Sequence, residues 1–378
     1  MKFAPLAIQN AKLLLKPKSL NKVKKLYNHP DNIISAIKSF PRAPLLSQRT
    51  PLERLPNLTN YLSKRENNVI NLYIKRDDLT SLAMGGNKAR PLEFILGEAI
   101  SQKCDQIIIT GAVQSNYCRS AAAAAAKLGL DCHIQLENRV SGMDSTYHRN
   151  GNVLLYKLFG AKTSFFSEGE NESAADNSLL EISKYYQSIG KKPYIIKLSP
   201  DNDPISALGY VDGIKEIIIQ CKKQNLKLDG IVTASGTAST QAGILAGLAL
   251  EKLKIPVFGI CVRRNKVEQR ARVKKVTNKL LKIMNSNVTI NDEDIHTDDR
   301  WLAEGYGTIS QEVLDAIKLS ARTDGILTDP TYSGKSIAGL IGMTREKSFE
   351  ENSNILFVHT GGQPNIFAYE SLLAGDTE

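Results

Sequence analysis

Short runs of β-branched residues alternate with helical patterns from about Leu46 onward, and this alternation constrains the fold more than any other feature of the chain. Seven runs are typical of buried strands: residues 73–75, 106–110, 132–136, 194–198, 230–233, 257–262 and 354–359. Helical segments separate most of them, which predicts an α/β fold with mainly parallel strands. In such folds, ligands bind at the turns that leave the carboxyl ends of the strands.

The positive charge of the chain is concentrated at its N-terminus. The formal net charge is +10, but residues 1–50 hold ten Lys or Arg residues and one acidic residue, Asp31. The other 328 residues carry 39 basic and 38 acidic side chains, so the body is nearly neutral. This disfavours nucleic-acid binding by the folded body. Residues 1–45 are predicted to be a basic extension, with an organelle-targeting peptide as the alternative.

The cysteines indicate a reducing compartment. Five of them are spread along the chain without a CxxC pair, and an odd number in a chain of this length is typical of free thiols. We therefore expect a cytoplasmic protein, or a mitochondrial one if the basic N-terminus is a targeting signal. No apolar stretch reaches the roughly 18 residues of a membrane span, so no membrane association is expected.

Four junctions in the chain carry residues that could take part in binding or catalysis. At the first, a strand ends in small and hydroxyl residues. Residues 229–234 are followed by residues 235–240, with the sequence SGTAST, and then by a helical run from Gln241. Free backbone N–H groups and the helix dipole favour an anion at such a start, and a phosphate fits. The spacing matches neither GxGxxG nor the P-loop pattern. An ordinary Ser/Thr-capped helix is the alternative interpretation.

Two further strand ends carry polar or glycine residues. Gln114, Ser115 and Asn116 begin the alanine-rich helix and would suit a substrate carboxylate. Gly361 and Gly362 follow the last strand and allow close approach to a planar ligand, although a tight turn explains them equally well.

Lys88 differs from the other basic residues in what precedes it. Gly85, Gly86 and Asn87 leave room for a flat cofactor to approach its amine. Most lysines are solvated surface charges, but a lysine desolvated beside a cofactor loses its proton and can form a Schiff base. Together with the phosphate-binding loop, these junctions indicate pyridoxal phosphate.

Seven motifs, in order, resemble the family of D-cysteine desulfhydrase and 1-aminocyclopropane-1-carboxylate deaminase. They are KRDDL (75–79), GGNK (85–88), GAVQSN (111–116), SGTASTQAG (235–243), EGYG (304–307), DPTYSGK (329–335) and HTGG (359–362). The resemblance extends from about Leu46 to the C-terminus.

This resemblance implies PLP fold type II, the α/β fold of the tryptophan synthase β subunit, with two parallel-sheet domains. Residues 46–90 and 200–378 would form the larger, pyridoxal 5'-phosphate-binding domain. Residues 91–199 would form a smaller domain that closes over a small amino-acid substrate. Enzymes of this kind are usually homodimers, so a homodimer is expected.

The resemblance also implies roles for individual residues. Lys88 matches the lysine that forms the Schiff base and would act as general base at Cα. Ser115 matches the substrate-facing serine, and Gln114, Asn116 and Tyr117 are further substrate contacts. Asn116 also matches the residue beside the cofactor's ring hydroxyl. The remaining matches are a phosphate loop, formed by Thr237, Ala238, Ser239 and Thr240, and two active-site tyrosines, Tyr306 and Tyr332. His359 is expected to be a packed residue with no catalytic role, and no metal is implied.

Two positions near the pyridine nitrogen separate the activities of this family. Ring-opening deaminases resemble one another in having Glu and Leu where this chain has Ser333 and Thr360. A carboxylate would keep the nitrogen protonated and make a strong electron sink, whereas hydroxyls make a weaker one. Loss of a β-thiol needs only the weaker sink. The residues thus favour a lyase that converts D-cysteine, or a related small D-amino acid, to pyruvate, ammonia and hydrogen sulfide, with the deaminase as the alternative.

Three departures from the family pattern leave one more alternative open. Tyr117 stands where desulfhydrases commonly have His, and Pro91 replaces a lysine that helps to meet the phosphate in relatives. Residues 1–45 have no counterpart in the family's core. Altered substrate choice fits these changes, and so does a catalytically weak relative that binds the cofactor or a partner.

Overall fold

The structure is a computed structural model that describes residues 26–66, 69–169, 171–202 and 204–374. Much of the predicted basic extension therefore lies outside the described residues. Within them, no helix is long and apolar enough to cross a membrane. All five cysteines are free and buried, as predicted.

Ten strands and twelve α-helices alternate along the described chain. In order they are α1 (Asp31–Ile37), β1 (Leu52–Arg54), α2 (Pro56–Glu66), β2 (Asn71–Lys75), α3 (Ala89–Ser101), β3 (Gln106–Ala112), α4 (Asn116–Leu128), β4 (Asp131–Glu137), α5 (Asn152–Leu158), β5 (Lys162–Phe166), α6 (Glu172–Ser188), β6 (Pro193–Ile196), α7 (Ile205–Gln224), β7 (Gly230–Ser235), α8 (Ser239–Leu250), β8 (Val257–Cys261), α9 (Lys266–Ile283), β9 (His296–Asp298), α10 (Gln311–Asp324), α11 (Ser333–Arg345), β10 (Asn354–Val358) and α12 (Glu370–Ala374).

The strands form two sheets. The larger has six strands in the order β1-β2-β10-β7-β8-β9, and the smaller has four in the order β5-β4-β3-β6. Strands β1 and β2 are antiparallel, and every other pair is parallel. The predicted α/β fold with parallel sheets is confirmed. All seven predicted strands are present, as β2, β3, β4, β6, β7, β8 and β10. The predicted domain boundaries stay a prediction.

Strand β3 shows why the small sheet forms a core. All seven of its residues are buried, because helices cover both faces of the sheet. Helix α4 packs on it through the alanine run, and Ala121–Ala125 are at most 5% exposed. Side chains this small let the helix lie close to the strands. Ser115 caps the helix by accepting a hydrogen bond from the Cys118 amide, and Gly129 ends it in the left-handed conformation.

The described part of the N-terminal segment packs on the body of the protein. Ile33 and Ile37 are buried in the hydrophobic core around α7 and α8. The carboxylate of Glu93, in α3, accepts hydrogen bonds from the amides of Leu45 (3.2 Å) and Leu46 (2.9 Å). Residues 26–45 therefore belong to the packed structure.

Candidate active site

One cavity lies where the loops of the two sheets meet. Segments that follow β2, β3, β4, β7 and β10 line it, together with the loops that carry Tyr306 and Tyr332. This location agrees with the rule that ligands bind at the carboxyl ends of parallel strands.

Lys88 reaches this cavity from the N-terminus of α3. Its Nζ lies 5.1 Å from the centre of the Tyr117 ring. Within the described ranges, no acceptor receives a hydrogen bond from this amine, and burial is the one resolved cause that lowers its pKa, to about 8. A pKa near 8 leaves about a tenth of the amine neutral at pH 7. Lys88 is therefore available as a nucleophile or a base.

Glycines fix the loop that presents Lys88. Gly85 and Gly86 have φ angles of +73° and +112°, which a residue with a side chain rarely adopts. The Asn87 amide donates to the Thr360 carbonyl over 3.0 Å. A Cβ atom on Gly361 would lie 2.5 Å from the Gly86 Cα, so the two backbones are in direct contact. The Lys88 loop and the Thr360 loop thus pack as one unit.

The predicted phosphate loop forms the N-terminus of α8. Thr237, Ala238 and Thr240 line the cavity. Ala238 has a φ angle of +74°, and Thr240 Oγ1 accepts a hydrogen bond from Asn87 Nδ2 over 3.0 Å. The free amides of a helix start suit an anion. Ser239 instead lines an adjoining cavity, and its hydroxyl is hydrogen-bonded to that of Ser206.

Asn116 and Ser115 reach the cavity from the junction of β3 and α4. Asn152 Nδ2 donates to Asn116 Oδ1 over 3.0 Å, which leaves the Asn116 amide nitrogen free to donate into the cavity. Asn152 itself was missed by sequence reasoning, because it lies far along the chain and belongs to none of the family motifs. Gly151 just before it, with a φ angle of +60°, marks a turn but not this contact.

Gln114 does not reach the cavity, which corrects the prediction that it contacts the substrate. Its Nε2 donates to the Tyr147 and Asn150 carbonyls, and its Oε1 accepts from the Asn152 amide over 2.9 Å. The side chain is buried and fully used in holding this loop to the start of α5.

Tyr306 and Tyr332 meet at the cavity wall, and their hydroxyl groups are hydrogen-bonded to each other. Burial raises the pKa of both phenols far above the usual value, so both are neutral proton donors. Lys335 Nζ donates to the carbonyls of Leu302 and Gly305, 2.7 Å each, and so holds the loop that carries Tyr306.

The two predicted pyridine-nitrogen neighbours differ in position. Thr360 lines the cavity, and its Oγ1 has no hydrogen-bond partner in the described part of the chain. Ser333 is fully buried and does not line the cavity. Its hydroxyl lies 2.7 Å from Asp329 Oδ1 and accepts from the Asp329 amide over 2.8 Å. Ser333 is therefore corrected to a structural residue at the start of α11.

The remaining motif residues have structural partners. His359 Nδ1 accepts from the Gly361 amide over 3.1 Å, and Nε2 lies 3.0 Å from the Leu327 carbonyl, which agrees with the expected packing role. Pro91 is buried in α3 and does not line the cavity, whereas Lys197 lines the adjoining cavity beside Thr237.

The electrostatic character of the cavity is basic. Among the described residues that line it, Lys88 and Arg139 are basic and none is acidic. The Thr360 hydroxyl, which has no hydrogen-bond partner among the described residues, also faces this cavity, and the N-terminus of α8 forms part of its wall. A ligand with a phosphate and a carboxylate suits these donors.

Comparison with known proteins gives one family and a set of similar enzymes. The family model described as pyridoxal-phosphate dependent enzyme matches residues 44–361. The chain is 38% identical over 330 residues to the D-cysteine desulfhydrase of Salmonella typhi, which covers 87% of this chain and 96% of that protein. It is 38% identical over 339 residues to the D-cysteine desulfhydrase of Serratia proteamaculans (strain 568), which covers 89% of this chain and 98% of the relative.

Solved structures give the same picture of the fold. A crystal structure of a homologue of ACC deaminase superposes with a TM-score of 0.79 at 33% sequence identity, covering 91% of this chain and 98% of that one. O-ureido-L-serine synthase, at 16% identity and a TM-score of 0.59, covers 91% of this chain and 96% of its own, and shares the fold alone.

Proposed function

The chain belongs to the family of pyridoxal-phosphate-dependent enzymes, and on that premise we propose that it is a lyase that removes a β-substituent and the amino group from a small D-amino acid, D-cysteine above all. The products are pyruvate, ammonia and hydrogen sulfide. The two D-cysteine desulfhydrases reported above, which match over most of both chains, support this substrate.

The donor set of the cavity suits pyridoxal phosphate. Lys88 supplies an unpaired amine for the aldehyde, and the N-terminus of α8 supplies amides for the phosphate. Asn116 offers an amide nitrogen for the ring hydroxyl. Thr360 Oγ1, which is buried without a hydrogen-bond partner among the described residues, offers a hydroxyl for the pyridine nitrogen. An unpaired buried hydroxyl is costly, and a ligand that pairs with it removes that cost.

The protein side chains divide the work of elimination between them. The bound cofactor supplies an electron sink for the carbanion at Cα. Lys88 Nζ takes the Cα proton, because its lowered pKa leaves part of it neutral near pH 7. Ser115 and the amides that begin α4 hold the substrate carboxylate. The hydrogen-bonded hydroxyls of Tyr306 and Tyr332 donate hydrogen bonds on the side of the leaving group.

The absence of a carboxylate among the described residues of the cavity wall carries the choice of reaction. Thr360 offers a neutral hydroxyl where ring opening of a cyclopropane would gain from an acidic partner. In the elimination of a thiol, the departing sulfur accepts the electron pair, so the cofactor need be only a weak electron sink. The residues of the cavity wall therefore support elimination over ring-opening deamination. The deaminase activity remains the alternative, because a homologue of ACC deaminase has a similar structure.

The decisive experiment measures sulfide and pyruvate from D-cysteine and from L-cysteine with the purified holoenzyme. We expect both products in equal amounts and a kcat/KM for D-cysteine at least about tenfold higher than for L-cysteine. Equal rates from the two enantiomers, or a preference for L-cysteine, contradict the D-amino-acid assignment. Faster formation of 2-oxobutanoate from 1-aminocyclopropane-1-carboxylate than of pyruvate from D-cysteine moves the function to the deaminase.

Two further parts of the proposal concern the protein as a whole. A homodimer is proposed because the relatives match over nearly their full length, and light scattering tests it by a mass near twice 41.6 kDa. Cytoplasmic localisation is proposed because five buried free thiols suit a reducing compartment. Imaging of the tagged full chain tests it, with mitochondrial signal as the contrary result.

A further inference from the structure

Arg139 lies at the cavity wall, although no family motif includes it. It follows strand β4, whose last residue, Glu137, is level with Ala112 at the end of β3. The two chain ends therefore leave the small sheet side by side, one towards Ser115 and the other towards Arg139. Both side chains line the cavity that contains Lys88.

Two contacts fix the guanidinium of Arg139. Its Nε donates a hydrogen bond to Glu137 Oε2 over 2.8 Å, and its Nη2 lies 2.7 Å from the same oxygen as an ion pair. Glu137 is itself buried, and its other oxygen accepts from Thr110 Oγ1 over 2.6 Å. Because Glu137 cannot turn away, Arg139 is held in one orientation. A fixed guanidinium needs no reorganisation when a negative charge appears near it.

One nitrogen of this guanidinium is unused. In the ranges that the structure describes, Arg139 Nη1 has no hydrogen-bond partner, while the whole side chain is only 7% exposed. The pKa of Arg139 is lowered by burial but raised more by Glu137, so the group remains cationic across the working pH range. A cationic group that keeps an N–H donor free beside a cavity can bind an anion there.

The neighbours of Arg139 show which anion it serves. Its Cζ lies 5.7 Å from the centre of the Tyr306 ring, and Tyr306 is hydrogen-bonded to Tyr332. Arg139 thus belongs to the tyrosine side of the cavity, where neutral hydroxyl groups can donate hydrogen bonds. The substrate carboxylate has its own donors, the free amides at the start of α4 beside Ser115.

We infer that Arg139 is a catalytic residue that stabilises the negative charge developing on the group that leaves Cβ, an inference that rests on the proposed function. As Lys88 Nζ takes the Cα proton, the electron pair left at Cα forms a Cα=Cβ double bond, and the Cβ–S bond breaks with its electron pair departing on sulfur as hydrosulfide. The Arg139 guanidinium binds that anion and a tyrosine hydroxyl donates a hydrogen bond to it, and the hydrosulfide takes up a proton from water after it leaves the cavity. The substrates served best are those whose β-substituent leaves as a basic anion, such as a thiolate.

The test compares two leaving groups in Arg139→Gln and Arg139→Lys. Chloride is a very weak base and leaves without help, so β-chloro-D-alanine reports the rest of the machinery. We expect kcat/KM for D-cysteine to fall about thirtyfold or more in Arg139→Gln, and for β-chloro-D-alanine by less than about threefold. Arg139→Lys keeps the charge and should recover most of the loss. Equal losses with both substrates, or none with either, overturn the inference.

A matched control and a binding measurement separate this inference from the proposed function. Arg149→Gln changes an exposed arginine of the same segment, whose side chain bonds to Ser145 alone among the described residues, and should leave both rates unchanged. Calorimetric titration of the holoenzyme with thiocyanate, an unreactive sulfur-ended anion, needs no turnover. We expect binding at least about tenfold weaker in Arg139→Gln and nearly unchanged in Arg139→Lys. Equal thiocyanate affinity in wild type and Arg139→Gln refutes the anion site even if D-cysteine proves not to be a substrate.

Discussion

Two regions of this protein bury basic side chains, and they differ in whether the buried lysine has an acidic partner. One is the ion cluster, formed by Lys75, Asp77, Arg90 and Glu216. Arg90 lies 2.7 Å from Asp77 and 3.1 Å from Glu216, and Lys75 lies 2.5 Å from Glu216. The other is the cavity around Lys88, where the lysine has no acidic partner among the described residues.

The basic groups of the ion cluster are not available as nucleophiles or bases, because their N–H groups are hydrogen-bonded within the protein. Lys75 Nζ also donates to the Thr50 carbonyl and to Gln220, and the Arg90 guanidinium also donates to Thr50 Oγ1. Arg90 keeps the pKa of Asp77 low despite its burial. Lys75 and Lys88 are only thirteen positions apart, yet one is structural and the other reactive. Pairing, and not burial alone, decides between these outcomes.

The largest effect that sharpens this comparison is expected from Lys88→Ala. Removing the amine should lower turnover by at least about 10⁴-fold and abolish the visible absorbance of the bound cofactor. Lys75→Met should retain that absorbance in the folded fraction, because Lys75 contributes no group to the cavity. Absorbance spectra and pyruvate release check both variants. An unchanged spectrum in Lys88→Ala removes Lys88 from its role.

The next effect concerns stability, and it belongs to the ion cluster. Arg90→Met leaves Asp77 and Glu216 buried with reduced compensation and should lower the free energy of unfolding by about 3–5 kcal/mol. Arg300→Met is the control, because Arg300 pairs with Asp298 and Glu346 at the surface, and it should cost less than about 1 kcal/mol. Urea unfolding followed by circular dichroism measures both. Similar losses in the two variants would falsify the assignment of stability to the cluster.

A third effect has opposite signs in the two regions. In the cofactor-free protein at pH 7, Lys88→Met should raise the free energy of unfolding by up to about 3 kcal/mol, because burial lowers the pKa of Lys88 from 10.5 to about 8 and the charged amine is therefore costly. Lys75→Met should lower it by about 3 kcal/mol, because Glu216 loses a partner.

The pH dependence of the Lys88→Met effect follows from the same shift. Between pH 8 and 10.5 the unfolded wild-type chain binds more protons than the folded one, so wild-type stability rises with pH in that window. The advantage of the variant should therefore shrink from pH 7 to pH 10. Urea midpoints at three pH values test this, and an advantage that grows with pH would contradict the lowered pKa.

The smallest effect separates two hydroxyls that are both near the cavity. Thr360→Val removes a hydroxyl without a protein partner, so turnover should fall about tenfold while the free energy of unfolding changes by less than about 0.5 kcal/mol. Ser333→Ala removes a hydroxyl bonded to Asp329 and should cost about 1–3 kcal/mol, with little change in the cofactor spectrum. The reverse pattern would return Ser333 to the cofactor.

The sequence was sufficient for the main architecture because buried parallel strands are continuous apolar runs. Strand β5 was not predicted, since as an edge strand it has only exposed or partly exposed residues and no such run. Strands β1 and β9 have three residues each, too few for a pattern.

Within the site, motifs identified loops but not the direction of every side chain. Ser333 and Thr360 both lie in motifs, yet Ser333 begins α11 and bonds back to Asp329, so only Thr360 reaches the cavity. Arg139 has no motif at all, and an isolated arginine is usually a surface charge. Only the pairing of β3 with β4 brings it beside Ser115.

The contact between Gly86 and Gly361 limits how this enzyme can be changed. With 2.5 Å between the Gly86 Cα and the place of a Cβ on Gly361, the Thr360 loop cannot accept a methyl group at Gly361 without pushing the Lys88 loop. Substitutions that widen the pocket for a bulkier amino acid must therefore leave the contact between Gly86 and Gly361 unchanged. Such changes are better placed across the pocket, on the wall that the small sheet provides.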